Sequence, residues 1–390
     1  MITNPFFVII TLLLIEIGVL YLSSRERFKK YFHFIPPVFW IYAVPMLCSS
    51  FGLIAAENPF YKAITANVLP ASLILLLLST DLKAISRLGT KSLVMMLAGS
   101  LSIMIAIPVV FYFFKEIVGR VTWSGFGALS ASWVGGSANM IAVKEALGTP
   151  DQVFAPMLVV DTVVPYVWMA FLIAMVVFQD KFDQMVKADT KVMEELHHHM
   201  ADRQELEKNF SLKGTFFVIV IAIAGLAITK GCSYFLPNIK NVISNYTWAI
   251  IIASSLGVLL SLTPIKKLEG SHATTIGYWL LYFVLTTIGA KARIHDLSAA
   301  LVLIGAGFCV IILHGLIITL VAKLIRAPMF LVATASQANI GGPASAPIVA
   351  AVYQPALACV GVLMAVLGNI LGTYTGIITG YVCKMIANVP

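Results

Sequence analysis

Apolar runs of roughly 17 to 25 residues, the length a helix needs to cross a hydrocarbon core about 30 Å thick, recur along the whole chain, separated by short polar turns. The pattern predicts spans near 4–22, 37–56, 64–80 and 92–114, a glycine-interrupted segment at 125–147 and a long run at 152–178. Charged residues and histidines replace the apolar ones between Asp180 and Lys213. The order then starts again, with spans near 214–236, 247–262, 274–290 and 299–322, a second interrupted segment at 329–352 and a last run at 356–386. Trp40 and Trp248 open equivalent spans. The third span of each half ends in mixed charge, Asp81-Leu82-Lys83 in one and Arg293-Ile294-His295-Asp296 in the other. Such internal symmetry is the mark of a duplicated transporter. It predicts an all-α membrane protein with a first repeat at 1–179, a charged linker at 180–213 and a second repeat at 214–390.

The two interrupted segments carry the densest chemistry. Ser130 to Met140 reads S-A-S-W-V-G-G-S-A-N-M, and Ala335 to Pro347 reads A-S-Q-A-N-I-G-G-P-A-S-A-P. Adjacent glycines ringed by Ser, Asn, Gln and Pro make poor helix material. In hydrocarbon a broken backbone is tolerated only where protein or a water-filled cavity satisfies its free N–H and C=O groups. Two matching breaks in two halves therefore point to a solute site built at the breaks.

Charge then orients the chain. If every run crosses the membrane and the N-terminus lies outside, the inside loops hold 11 Lys and Arg and the outside 14, against the positive-inside bias. If the two glycine-broken segments are re-entrant, the inside loops hold 17 and the outside 8, with Lys230 inside a span left out. This favours two inverted halves, each of five crossings and one re-entrant or discontinuous helix, although much of the margin comes from six residues of the linker. The linker's apolar residues Phe182, Met185, Val186, Met193, Leu196 and Met200 fall near helical spacing, as expected of an amphipathic helix on the membrane or on a partner.

Composition excludes a soluble protein, with 59% hydrophobic and 11% charged residues and a mean hydropathy of +0.93. The net charge of +8 is distributed over short loops as topological markers, so nucleic acid is not an expected partner. Five scattered cysteines offer neither a disulfide framework nor zinc spacing. The N-terminus lacks the basic region and cleavage site of a signal peptide, so the first run is expected to stay as a membrane helix. Adjacent His197, His198 and His199 lack the i, i+4 spacing of a helical metal pair, and a solvated surface explains them.

Two inverted five-span halves, each with a Gly-Gly segment between its fourth and fifth spans, resemble the bacterial glutamate and citrate sodium symporters. More widely they resemble the clan that includes cation/proton antiporters and bile-acid sodium symporters. Judged by V-G-G-S-A-N-M, A-N-I-G-G-P-A-S-A-P and the even spread of spans, the chain as a whole is similar to the YjcL-like family of bacterial multi-pass membrane proteins. The symporter motif is closer to G-G-x-G, and here Ala138 and Ala344 stand at the last glycine. The resemblance implies a rigid scaffold and a moving core, ion and substrate sites near the breaks, a bacterial inner (plasma) membrane location and a homodimeric state common in the clan.

The candidate substrate- and ion-binding residues are Ser132, Gly135, Gly136, Ser137 and Asn139 in the first break, and Ser336, Gln337, Asn339, Gly341, Gly342 and Ser345 in the second. The competing reading of these residues is small-residue helix packing with interhelical hydrogen bonds. Asp161 stands out because a carboxylate at the bilayer centre costs about 2.5 to 3.5 kcal/mol and normally faces a cavity or a partner. It is the candidate Na⁺ or H⁺ site, with Thr162 and Pro165 placed to open the helix beside it, and the alternative is a structural pair with Lys144. Asn369 lies at a similar depth in the last run and is either its neutral counterpart or helix glue. Lys144 and Glu145 are expected at the membrane interface, and Glu16 and His314 in helix packing.

The function expected is cation-coupled secondary transport, driven by Na⁺ or H⁺, of a small organic anion or zwitterion by alternating access. A Na⁺/H⁺-type antiporter and a facilitated uniporter are the alternatives. An intramembrane enzyme would need a nucleophile, base or metal motif, and none of H-E-x-x-H, G-x-S-x-G or G-x-x-x-x-G-K-[ST] occurs. No cofactor other than Na⁺ is expected.

Overall fold

The computed structural model describes residues 2–34, 37–78, 85, 88–189, 212–237, 245–265, 273–292, 300–354 and 357–389. In chain order the helices are α1 (Pro5–Ser24), α2 (Glu26–Phe34), α3 (Pro37–Ser50), α4 (Pro59–Leu78), α5 (Gly89–Val118), α6 (Trp123–Gly135), α7 (Ser137–Ala146), α8 (Asp151–Ala174) and α9 (Gln179–Val186). They continue as α10 (Leu212–Phe235), α11 (Asn245–Ser261), α12 (Ala273–Lys291), α13 (Ala300–Ile325), α14 (Met329–Ile340), α15 (Gly342–Tyr353) and α16 (Ala358–Ala387). Among the described residues eight helices are long and apolar enough to cross a bilayer, and α3 and α11 are shorter apolar helices. The protein is thus an all-α, multi-pass membrane protein.

Local sequence sets the helix ends. At the start of α1 the Asn4 side chain accepts a hydrogen bond from the Phe6 amide at 3.0 Å and Pro5 takes the first helical position, both favoured where the first N–H groups lack helical partners. The twenty residues of α1 span about 30 Å at 1.5 Å per residue.

The chain divides into two compact units, and each draws on both halves of the sequence. One comprises Met1–Ser79, Lys144–Thr162 and Glu207–Leu301. Here α4 packs against α10, α11 and α12, and α3 and α1 pack on α12. Ala71, Leu75 and Leu78 of α4 form a core with Val218, Ala222 and Ala273.

The other unit comprises Thr80–Val143, Val163–Leu206 and Val302–Pro390, and it contains both glycine breaks. Between α6 and α7 only Gly136 interrupts the helix, at φ +82°. Between α14 and α15 the interruption is Gly341, followed by Gly342 at φ +67°. Both positive φ values suit glycine and strain other residues. The first broken element packs along α16, and α14 touches α5, α6 and α16. The α6–α16 contact is made by small residues: a Cβ on Gly372 would stand 2.7 Å from the Gly135 Cα, and one on Gly376 would stand 3.0 Å from the Ala131 Cα. Gly368, Gly372, Gly376 and Gly380 recur every four residues, the small-xxx-small pattern that brings membrane helices into backbone contact.

The helix over the expected run at 152–178 is continuous from Asp151 to Ala174, straight through Pro165. The helix is therefore not opened beside Asp161 as the sequence suggested. Of the linker, α9 is helical, with Val186 buried and Met185 exposed. Met193, Leu196, Met200 and the three histidines lie outside the described residues, as do Asp81-Leu82-Lys83 and Arg293-Ile294-His295-Asp296.

A Gly372→Val substitution should overpack the α6–α16 contact, where extra methylenes in a close-packed interior typically cost about 1–3 kcal/mol. Thermal melting of purified protein should fall clearly below wild type, while Gly305→Ala, which meets open space, should leave it unchanged within a degree or so.

Candidate functional site

Breaking a helix frees backbone groups; at the first break a side-chain amide meets one of them, and beside the second a matching amide bonds carbonyls of the neighbouring helical turns. Asn139, in the first turn of α7, donates through Nδ2 to the Gly135 carbonyl at 2.6 Å and to the Asn369 carbonyl of α16 at 3.2 Å. Its Oδ1 accepts from the Thr373 hydroxyl at 2.5 Å. A Cβ on Gly135 would occupy the place of this amide, so the glycine is needed here for space. Asn369 also turns its side chain to the break, since a Cβ on Gly136 would stand 3.7 Å from its Oδ1.

Asn339 repeats the arrangement at the end of α14. Its Nδ2 donates to the Ala335 carbonyl at 2.8 Å and to the Met96 carbonyl of α5 at 3.3 Å, and its Oδ1 accepts from the Ser100 hydroxyl at 2.8 Å. Each asparagine thus bonds the carbonyl four residues behind it, plus a carbonyl and a hydroxyl four residues apart on a neighbouring helix. Across the second break, Gln337 Nε2 donates to Ser345 Oγ at 2.8 Å. Among the described residues, Gln337 Oε1 is buried without a hydrogen-bond partner, as are Ser130 Oγ and Trp133 Nε1 on α6. Unsatisfied buried polar atoms are uncommon and call for an explanation such as a bound water or ion. Gly136, Ser137 and Ala138 are half-buried, as are Gly341 and Pro343, whereas Ser132, Asn139, Ser336, Gln337, Asn339, Gly342 and Ser345 are buried. The breaks are the half-buried points next to α14, whose residues are all buried.

Ser336 belongs to a further chain of polar groups. Trp168 Nε1 donates to Ser336 Oγ at 2.8 Å, His314 Nε2 lies 2.8 Å from the same oxygen, and His314 Nδ1 lies 2.5 Å from Ser102 Oγ. Ser102 gives its proton to the Gly99 carbonyl at 2.6 Å, so its oxygen accepts from His314 Nδ1–H and Nε2 accepts from Ser336. One neutral tautomer satisfies the whole set. Trp168 and Ser336 also line a groove of about 260 Å³ bounded by Phe171, Ile312, Gly315 and Met329. The linker serves this unit too. Pro328 has no capping side chain, and Asp183 Oδ1 accepts from the Met329 amide at 2.7 Å in its place.

Every candidate residue except Asp161 therefore lies in the unit with the breaks. Asp161 lies in the other unit, half-buried on α8, one position before Thr162, whose hydroxyl donates to the Leu158 carbonyl at 2.8 Å.

Lys144 and Glu145 are held in a cluster of charges inside the protein. The Lys144 side chain is only 4% exposed, and its Nζ reaches Glu145 Oε1 at 2.8 Å and Asp151 Oδ1 at 2.9 Å. It also lies 5.6 Å from the Phe154 ring centre. Lys291 approaches Asp151 from α12 at 3.7 Å. The signal available in the sequence was Asp151 placed just past the Gly148-Thr149-Pro150 turn, where a helix N-terminus favours an acid and the chain can fold back on Lys144. The glycine repeat of α16 was likewise visible and overlooked.

A family model described as "Protein of unknown function (DUF819)" matches residues 11–386. The chain belongs to this family. It is also similar to the "Uncharacterized membrane protein YjcL" of Bacillus subtilis (strain 168), with 26% identity over 355 residues, 86% of each chain. Together with the apolar helices, this relative fits the bacterial inner-membrane location expected from the sequence.

Removing Lys144 as Lys144→Ala should leave the half-buried Glu145 without its ion pair and Asp151 with Lys291 alone, a loss that approaches the cost of about 3–5 kcal/mol for breaking a buried pair. Its melting temperature should drop further than that of Lys29→Ala, whose ion pair with Glu26 is exposed. Equal shifts would show that the buried cluster carries no special weight.

Proposed function

We propose that this protein is a cation-coupled secondary transporter that moves a small organic anion or zwitterion by alternating access. The observation that carries the reading is the pair of helices broken at glycines in one compact unit, touching each other through α6 and α14, with amides held at each break. Half-helix N-termini favour negative groups of a solute, and freed carbonyls favour cations. An enclosed polar site of this kind has little structural purpose in a bilayer, where an uninterrupted helix would satisfy its own backbone.

Two inverted repeats belong to the same proposal. They are supported by the repeated order of long helix, broken pair and long helix, in α5 to α8 and in α13 to α16, and by the distribution of Lys and Arg. Asp161 is the proposed cation ligand, Na⁺ or H⁺, since a carboxylate within an apolar span is a functional candidate by default. Coupling requires only that ion and solute favour the same conformational state, each through its own difference in affinity.

Purified protein should melt at a higher temperature in Na⁺ than in K⁺ or choline at equal ionic strength, and Asp161→Asn should lose that response. An ion response unchanged in the variant would remove Asp161 from the mechanism. Reporter fusions within 119–122 and after Gly148 should fall on the same side of the membrane, and finding them on opposite sides would overturn the re-entrant topology of the first half.

A further inference from the structure

The inward stripe of α1 consists of Val8, Leu12, Glu16 and Val19. Its spacing of four, four and three residues is that of an apolar helix face packed into a protein, with Glu16 in the place of a hydrophobic residue. Glu16 is fully buried. Neither of its carboxylate oxygens has a hydrogen-bond partner among the described residues. Leu14 and Ile17, on the other face, are exposed as lipid-facing residues are.

Among the described residues, the surroundings do not compensate a charge. α1 packs against α3 and α12 within its own unit, and Val8 and Leu12 of the stripe belong to an apolar cluster with Ile54, Tyr61 and Ala290. The titratable groups on α3 are Tyr42 and Cys48, and those on α12 are Tyr278, Tyr282 and Lys291. Tyr282 interacts electrostatically with Glu16. Lys291 is committed to Asp151 and lies nine residues beyond Tyr282, about 14 Å along the helix. The charged residues of α2 begin at Glu26, about 15 Å along the axis from Glu16.

An isolated ionised carboxylate in such a medium is too costly to persist without a counter-charge. A structural role in helix packing would be served better by leucine, at no electrostatic cost. We propose that Glu16 is a binding site for a monovalent cation, a proton or Na⁺, held in the apolar contact of α1 with α3 and α12. The proposal does not depend on the cation site proposed at Asp161. The two sources differ in what they demand: a proton needs a single oxygen, whereas a metal ion draws on several.

The deciding quantity is the difference in melting temperature between the wild-type protein and Glu16→Gln, followed against pH at constant salt and against Na⁺ at constant pH. If a proton is the ligand, the folded protein holds a proton that the unfolded chain releases. The wild type then loses stability relative to the variant as pH rises from about 5 to 9. If Na⁺ is the ligand, the wild type gains relative to the variant as Na⁺ replaces choline. A difference flat in both series overturns the proposal.

Should Glu16→Gln fail to fold, labelling of the wild type with dicyclohexylcarbodiimide decides the same question. The acid proton passes to a carbodiimide nitrogen, the carboxylate oxygen adds to the central carbon, and the adduct rearranges to a stable N-acylurea with nothing lost. Peptide mass spectrometry should find the whole reagent mass on Glu16. Loss of the adduct at high pH alone assigns a proton, and suppression by Na⁺ at constant pH assigns sodium. No adduct on Glu16, or one indifferent to both, overturns the assignment.

Discussion

Backbone hydrogen bonding in the absence of water is the constraint on which the rest of this structure depends. A helix in hydrocarbon satisfies its own N–H and C=O groups, and each departure from helix must be met by other protein groups or by water. Among the described residues, two buried helical elements are interrupted at glycines, at Gly136 and at Gly341-Gly342. At the first break Asn139 meets the Gly135 carbonyl and a carbonyl of α16, and beside the second Asn339 meets the Ala335 carbonyl and a carbonyl of α5. These bonds tie the breaks to long helices, so each break is a defined object rather than a loose turn.

Close packing then decides which helices can supply those partners. Gly368, Gly372 and Gly376 let α16 approach α6 until backbones touch, and only at that distance can an Asn139 amide reach the Asn369 carbonyl. Small residues are the means by which membrane helices gain contact when no hydrophobic drive brings them together. The same helix thus provides the packing surface and the polar partner. Buried polar atoms of Gln337, Ser130 and Trp133 have no hydrogen-bond partner among the described residues.

Charges inside the protein follow a different rule. Lys144 is enclosed with two carboxylates and an aromatic ring, so its charge is balanced within the cluster. Glu16 has no such balance among the described residues. His314 shows the neutral solution, with one tautomer bonded at both ring nitrogens. A balanced cluster, an unbalanced acid and a fully bonded imidazole have different functional potential, although all three read alike in the sequence as titratable residues near apolar runs.

Hydropathy by itself placed the long apolar helices in order, though not the polar α2, because crossing a bilayer requires a length of apolar chain that no tertiary contact can replace. It also determined the breaks, since paired glycines among small polar residues cannot propagate a helix in hydrocarbon. Tertiary structure alone decided which breaks share a compact unit, and that Asp161 falls in the other one. It decided that α8 runs unbroken past Pro165 and that Lys144 is buried rather than exposed. The physical reason is that apolar periodicity carries no record of helix partners in a membrane. Lipid and protein interior are equally apolar, so the face that packs and the face that meets lipid look the same along the chain, and only the assembled helices distinguish them.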